Sequence, residues 1–227
     1  MSQIWNDKKL AKEWIDWVEN SNPSGGREKE IYPVIIKWFR KVKPKTVIDI
    51  GCGQGICSTL IDRGINYIGI EPSTELIKRA KEKYKSPRNK FMIGDAYDIP
   101  LQDNCTDSAI TIWVWSHLKD IELAANEMYR VLKPGGSYLV ITANPNTYKL
   151  RRTFYKSIKE YDGYIVGTFE LGNGKVLSNT NLYFHTTNYL IQSIKKSKLM
   201  INSITTFGLE KEYPEGLNIM ITGHKAK

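Results

Sequence analysis

From Val47 to Gly55 the chain reads VIDIGCGQG. A β-branched apolar run ending in glycines at alternate positions describes a strand that leaves a sheet through a sharp turn. Glycine permits that turn and lets a ligand approach where a Cβ would intrude. The dinucleotide fingerprint G-x-G-x-x-G needs a third glycine at position 56, where this chain has Ile56. Gly55 falls one place early, which points away from a pyrophosphate cradle and toward a ligand without phosphate. Glu71 ends the next apolar run, YIGIE, twenty residues after Gly51. A carboxylate there can accept hydrogen bonds from both hydroxyls of a ribose. In a third segment, GDAYDIP from Gly94 to Pro100, Asp95 can accept from an adenine amino group while the Ala96 N–H donates to a ring nitrogen. Taken alone, that segment is equally a turn with an aspartate in it.

Three histidines are available for proton transfer, since an imidazole titrates near neutrality. His117 follows the fourth apolar run and is the candidate catalytic base, or else packs under a ligand or caps the helix after Asp120. His185 precedes Thr186, a natural helix N-cap, and reads as structural. His224 lies near the last strand's end and takes no part. Trp5, Trp14 and Trp17 are spaced as a helix face; they either form a lid whose rings hold a cationic group or pack on the core. Tyr32, Tyr148 and Tyr155 are pocket candidates on the same terms. Lys149, Arg151, Arg152, Lys156 and Lys159 form the densest basic cluster, facing a substrate entrance or solvent.

The elements that must position these residues follow from periodicity. Helices are expected over Trp5–Glu19 and Arg27–Lys41, separated by the turn-forming Asn20–Gly26. Strands are expected at Thr46–Ile50, Tyr67–Glu71, Phe91–Ile93, Ser108–Val114 and Ser137–Thr142. Between them lie helices at Gly55–Arg63, Ser73–Tyr84 and Asp120–Leu132, the last stopped by Pro134-Gly135-Gly136. This alternation implies a doubly wound, mostly parallel sheet with right-handed crossovers. A helix at Thr187–Lys198 and strands at Met200–Thr206 and Leu217–Gly223 imply an antiparallel hairpin closing it. The forty-odd residues from Asn144 to Phe184 are too many for a connection. A basic helix over Lys149–Lys159 and a hairpin turning at Gly172-Asn173-Gly174 would make them a cap at the carboxyl end of a strand, where such sheets bind ligands. The expected division is therefore 1–43 N-terminal lid helices, 44–143 ligand-binding core, 144–184 cap, and 185–227 the rest of the core.

The chain has 227 residues, 41% hydrophobic and 25% charged, with formal net charge +9. That composition excludes wholesale disorder. The longest apolar run, Ala109–Trp115, is too short to span a bilayer, and the first residues carry no apolar signal segment. Three cysteines with no CxxC argue against a disulfide scaffold and against a cysteine-based zinc site, and suit a reducing cytoplasm. No metal-ligand cluster is apparent. The positive charge suits an anionic partner, or is simply a lysine-rich solvated surface.

Together these segments resemble the class I S-adenosylmethionine-dependent methyltransferases, in the small-molecule branch that includes the ubiquinone/menaquinone-biosynthesis type (methyltransferase type 11). VIDIGCGQG looks like the family's first motif, YIGIEPS its ribose-binding acid segment and GDAYDIP its adenine segment. Ser116-His117-Leu118-Lys119-Asp120 looks like its HHLPD-type segment, and EMYRVLKPGG matches E-x-x-R-V-L-K-P-G-G. The likeness covers roughly Arg27–Thr142 with the terminal helix and hairpin. It implies a Rossmann-like seven-stranded sheet and S-adenosylmethionine as cofactor, S-adenosylhomocysteine being the product. Gly51, Cys52 and Gly53 would line the methionine part. Glu71 with Pro72 would hold the ribose, Asp95 and Ala96 the adenine. The Trp113 carbonyl would accept from the cofactor's amino group. Arg27 would pair with its carboxylate, unless it is a solvated helix-start arginine. Asp49 is structural rather than a ligand.

The resemblance further implies methyl transfer to nitrogen or oxygen of a small acceptor, anionic or neutral, contacted by Trp17, Tyr32, Tyr148, Arg152 and Tyr155. The alternatives are an RNA or nucleotide methyltransferase and a non-catalytic cofactor-binding regulator. The amino-methyltransferase motif (D/N)-P-P-(Y/F) is missing, the fourth strand ending Trp113-Val114-Trp115-Ser116, and no RNA-binding module is present. Both absences disfavour nucleic acid.

Overall fold

The computed structural model describes residues 7–20, 27–153, 155–170, 176–209 and 214–227. Trp5, most of the turn before Arg27 and the Gly172-Asn173-Gly174 turn lie outside the described residues. In chain order the elements are α1 (Lys8–Asn20), α2 (Tyr32–Val42), β1 (Thr46–Ile50), β2 (Asn66–Glu71), α3 (Thr74–Lys83), β3 (Asn89–Ile93), β4 (Thr106–Ile112), α4 (Ile121–Val131) and β5 (Leu132–Ala143). The cap follows as α5 (Tyr148–Arg152), β6 (Tyr155–Tyr161), β7 (Tyr164–Glu170) and β8 (Val176–Tyr183). The core resumes with α6 (Thr187–Lys196), β9 (Leu199–Phe207) and β10 (Asn218–Lys225).

The main sheet has seven strands in the order β3-β2-β1-β4-β5-β10-β9. The first five are parallel, and β10 runs antiparallel to both β5 and β9. The α/β architecture read from periodicity is the one observed. Strand alternation explains the two faces. Val47, Ile110, Leu139 and Ile141 point to a core built with Ile35, Phe39 and Ile77 of α2 and α3. Their neighbours Ile48, Ala109, Tyr138 and Val140 point to the opposite core, against Ala125 and Met128 of α4 and Ile194 of α6. β1 and β4 are central and buried on both sides, hence their unbroken apolar runs. The order reverses between β1 and β4, and the crevice at that switch point is where such sheets take ligands.

Several local expectations are corrected. The helix expected at Gly55–Arg63 is only a short 3₁₀ turn, Ile56–Thr59. Gly55 has φ +84, outside helical space, and the Ser58 and Thr59 hydroxyls bond back to the Gly55 and Ile56 carbonyls at 2.7 and 2.8 Å. The helix expected at Arg27–Lys41 begins instead as a π-type turn, Arg27–Ile31, because Pro33 at the start of α2 has no N–H for a regular ladder. Pro134-Gly135-Gly136 does not separate α4 from β5: β5 starts at Leu132, and a register shift between Thr106 and Ser108 of β4 absorbs the irregularity. The basic helix expected over Lys149–Lys159 stops at Arg152, and Tyr155–Tyr161 pairs antiparallel with β7. The cap is thus a three-stranded sheet, β6-β7-β8, with the expected hairpin formed by β7 and β8.

Gly223 marks the second irregularity, a register shift in the β9–β10 pairing. A Cβ there would lie 1.9 Å from the Met200 carbonyl oxygen and 2.3 Å from the Tyr138 hydroxyl, whereas one on Gly64 would meet nothing within 4 Å. Gly223→Ala is expected to lower unfolding free energy by about 1–3 kcal/mol through overpacking. Gly64→Ala is expected to change it by less than about 0.5 kcal/mol. Urea-denaturation midpoints measure both.

Candidate functional site

The carboxyl ends of β1 and β2 meet at Glu71. Its Oε2 accepts from the Gly53 N–H at 3.1 Å and its Oε1 from the Ser73 N–H at 3.1 Å, with the side chain 6% exposed. Burial, opposed by those two backbone bonds, pushes its pKa up to about 7. Each oxygen holds one donor and retains capacity for another. The Gly51 and Cys52 N–H groups both donate to the Ile70 carbonyl, at 2.8 and 3.0 Å, so the glycine turn is pinned to β2 twice over. Gly51, Gly53 and Gly55 all have positive φ. A Cβ on Gly51 would strike Val114 at 2.3 Å, while one on Gly53 would stand in open space, as expected of a cradle that a ligand lies against. Beside it Gln54 is 3% exposed, and its Nε2 has no partner among the described residues. Cys52 is buried and its thiol pushed well up by desolvation, so it packs as a neutral group. Pro72, half-buried, follows Glu71 and leads to Ser73, which caps α3.

Asp49 lies one strand position inside this turn, 1% exposed on the α2–α3 face, and accepts from the Tyr67 hydroxyl. Burial raises its pKa to about 6 against the pull of the Tyr67 and Cys57 bonds. Its carboxyl thus ties β1 to Tyr67 of β2.

Asp95 Oδ1 accepts from the N–H groups of Tyr97 and Asp98 at 2.7 and 3.1 Å; Oδ2 and the Ala96 N–H have no partner among the described residues. The E-x-x-R motif explains what fixes this loop. Arg130 is bidentate to Glu127 at 2.7 Å and donates to the Ile99 and Leu101 carbonyls at 2.8 and 2.6 Å, while Glu127 accepts from the Ile99 N–H at 2.8 Å. The motif was legible by resemblance, but its clamp on the downstream loop was not.

Trp113, just beyond β4, has φ +58, a strained value for a bulky residue. Its N–H donates to the Ile141 carbonyl at 2.7 Å and its indole to Asn218 at 2.9 Å. Its own carbonyl receives no hydrogen bond among the described residues. Arg27 lies between the Trp14 and Trp113 rings, 5.2 and 5.0 Å from their centroids. Desolvation lowers its pKa, with Tyr32 and Cys57 opposing, and no carboxylate pairs with it among the described residues. A desolvated guanidinium without a counter-ion is a site for an anion. The Trp14–Arg27–Trp113 stack had no sequence signal, since its members are far apart in the chain. Trp17 packs on Trp14 at 5.4 Å, and Glu19 ties α1 to Arg79 and Lys83 of α3 at 2.6 and 3.0 Å.

The acceptor candidates divide into two groups. Trp17 and Tyr32 stand with Arg27 on the N-terminal side. Tyr148, Arg152 and Tyr155 line an open dish in the cap, where Arg152 also pairs with Glu160. His117 Nδ1 donates to the Asn181 carbonyl of β8 at 2.7 Å, joining the segment after β4 to the cap.

A family profile described as "Methyltransferase domain" matches residues 48–140. The chain is 37% identical over 100 residues to a sterol 24-C-methyltransferase of Pneumocystis carinii, covering 41% of this chain and 26% of that protein. It is 28% identical over 134 residues to a 2-phytyl-1,4-naphtoquinone methyltransferase of Nostoc punctiforme, covering 56% of each. The chain thus spans roughly a quarter to a half of the length of such relatives. A solved protein from Pyrococcus horikoshii shares the fold with TM-score 0.74 at 19% identity, covering 96% of this chain and 99% of that one.

The two raised carboxyls make stability pH-dependent. Asp49 and Glu71 have ordinary values of 3.8 and 4.5 and folded values of about 6 and about 7. Both hold protons more tightly when folded, so their contribution is full below the ordinary values and is lost as pH rises through the folded ones. The urea midpoint is expected to fall between about pH 4 and about pH 7. Glu71→Gln, which cannot ionise, is expected to flatten the upper part of that fall.

Proposed function

We propose, from the class I S-adenosylmethionine-dependent methyltransferase domain that this chain carries over residues 48–140, that the protein transfers a methyl group from S-adenosylmethionine to a nitrogen or oxygen of a small molecule. The observation that carries the reading is unspent polar capacity along one crevice. Glu71 has room for two hydroxyl donors. Asp95 Oδ2, the Ala96 N–H and the Trp113 carbonyl are unengaged among the described residues, and Arg27 lacks a counter-ion there. These requirements match a ribose, an adenine, an ammonium and a carboxylate in turn.

When bound, the cofactor supplies an electrophilic methyl carbon on a sulfonium. The chain's part is to orient, to exclude water and to hold charge. Glu71 fixes the ribose while its backbone bonds hold the Gly53 turn against the methionine portion. Arg27, stiffened between two indoles, orients the carboxylate. Gly51, Cys52, Gly53 and Pro72 contribute backbone and apolar wall. On the acceptor side the cap sheet and α5 would enclose the substrate. Trp17 and Tyr32 would close it from the N-terminal side, and an anionic tail would meet Lys149 and Arg152 at the dish. Quinone and sterol methylation by relatives supports a small-molecule acceptor. Three free cysteines suit a cytoplasmic setting, and no helix among the described residues is long and apolar enough to cross a membrane.

Calorimetry with S-adenosylhomocysteine tests the site. Hydroxyl donors favour ionised Glu71, so binding is expected to release protons near pH 7 and to weaken as pH falls below it. Arg27→Met keeps apolar contact with the indoles but loses the charge, and is expected to weaken binding by about 1.5–3 kcal/mol. Unchanged affinity in that variant, or binding independent of pH, contradicts the assignments.

A further inference from the structure

Among the described residues, the main sheet ends in the edge strands β3 and β9, and the cap sheet in β6 and β8. An edge presents unpaired backbone N–H and C=O groups, and folded proteins guard it with charge, with brevity or with a covering segment. Three of these edges are guarded. β3 has only five residues and carries Lys90. β6, YKSIKEY, carries two lysines and a glutamate. β8 is met by the turn after β4, where His117 bonds to the Asn181 carbonyl at 2.7 Å. β9 has none of these protections. It is nine residues long, and from Leu199 to Leu209 the sequence LMINSITTFGL contains no charged residue and no proline, in a chain that is 25% charged.

The outer side of β9 is open. Residues 202–206 are all exposed, Ile204 by 37%. Among the described residues, β9 hydrogen-bonds only to β10, apart from the Met200 carbonyl, which accepts from the Tyr138 hydroxyl at 3.0 Å. In an antiparallel pair, alternate residues turn their N–H and C=O groups away from the partner strand. The far side of β9 is therefore a row of donors and acceptors that another strand could engage. Asn202 is the extra residue of a bulge opposite Thr222 and Gly223, and beyond it Ser203–Phe207 pairs regularly with Thr222–Asn218. That regular stretch, with Thr205 at its midpoint, is the part of the edge fit to pair again.

We propose that β9 is a self-association edge: two copies of the chain pair antiparallel across a two-fold axis at Thr205, joining their seven-stranded sheets edge to edge. Charge selects a second copy as the occupant. Each copy carries +9, so contact across its lysine-rich surfaces is repulsive, whereas two β9 strands meet with no like charges opposed. Centred on Thr205, the pairing sets that residue opposite its own counterpart, Ile204 opposite Thr206 and Ser203 opposite Phe207. Thr–Thr and β-branched pairs are favourable cross-strand neighbours. The faces also match. Ile204 and Thr206 lie beside Ile221 and Ile219 on the side of α4 and α6, and Thr205 beside Met220 on the side of α2 and α3. The crevice at β1 and β2 is separated from β9 by β4, β5 and β10, so it takes no part in the contact.

Sedimentation equilibrium of the full chain, with no cofactor or acceptor added, tests this independently of the methyltransferase reading. A dimer is expected to form as concentration rises. Thr205→Lys places like charges opposite each other on the axis and is expected to weaken dimerisation by about tenfold or more. Ile204→Lys is expected to weaken it as well. Both positions are exposed, so far-UV circular dichroism and the urea midpoint should match the parent, which separates lost association from lost folding. Thr205→Cys is expected to form an interchain disulfide between the two introduced thiols on mild oxidation, identified by peptide mapping. A chain that stays monomeric at every concentration would overturn the proposal. So would a dimer that survives both lysine substitutions and gives no cross-link at position 205, or a β9 that pairs only with a foreign peptide strand. If the lysine variants fail to fold, the cross-link alone decides.

Discussion

A buried carboxylate that is not fully satisfied organises this molecule. Glu71 is removed from water at the end of β2, and its two backbone bonds, to Gly53 and Ser73, join the glycine turn to the start of α3. Desolvation makes the ionised form unfavourable until more donors arrive. The residues around it serve that condition. Glycines with positive φ bring backbone N–H groups within reach, and the Gly51 and Cys52 bonds to Ile70 keep the turn from drifting. Asp49 and Tyr67 fill the space beneath. In the proposed function, the vicinal diol of a ribose supplies those donors.

The cap is bound to this core through histidines used reciprocally. His117, on the core side, donates to a cap carbonyl, and His185, at the end of the cap, donates to the Leu118 carbonyl on the core side. The two bonds hold β8 against the segment that follows β4. From there a run of stacked rings, Tyr161, Tyr164, Tyr183, His185 and Tyr189, continues along the cap to α6. A sheet of three short strands would be marginal alone; these contacts give it a surface to pack on. On the other side, α1 is held by the Glu19 ion pairs to α3 and by the Trp14–Arg27–Trp113 stack. α1 and the β6–β8 sheet are therefore attached by polar or aromatic contacts rather than by a continuous apolar core.

The core strands were legible because burial on both faces demands unbroken β-branched runs, and the glycine turn and Glu71 because backbone geometry and charge leave few alternatives there. Legibility ended where local rules compete. Gly55, Ser58 and Thr59 each favour something other than a helix, and the structure follows them rather than the βαβ pattern. YKSIKEY has lysines at helical spacing, but pairing with β7 decides its conformation. His185 looked structural because Thr186 does cap α6, with its hydroxyl 3.1 Å from the Tyr189 N–H. The threonine caps the helix and the imidazole bonds to the Leu118 carbonyl, a structural use of both residues.

We propose that Glu71, the glycine turn and Arg27 together enclose an adenosyl ligand. A crystal structure with S-adenosylhomocysteine measures this directly. Both ribose hydroxyls are expected on the Glu71 carboxylate and the ligand carboxylate on Arg27. A ligand seated elsewhere, or Glu71 still bonded only to Gly53 and Ser73 with the ligand bound, would contradict it.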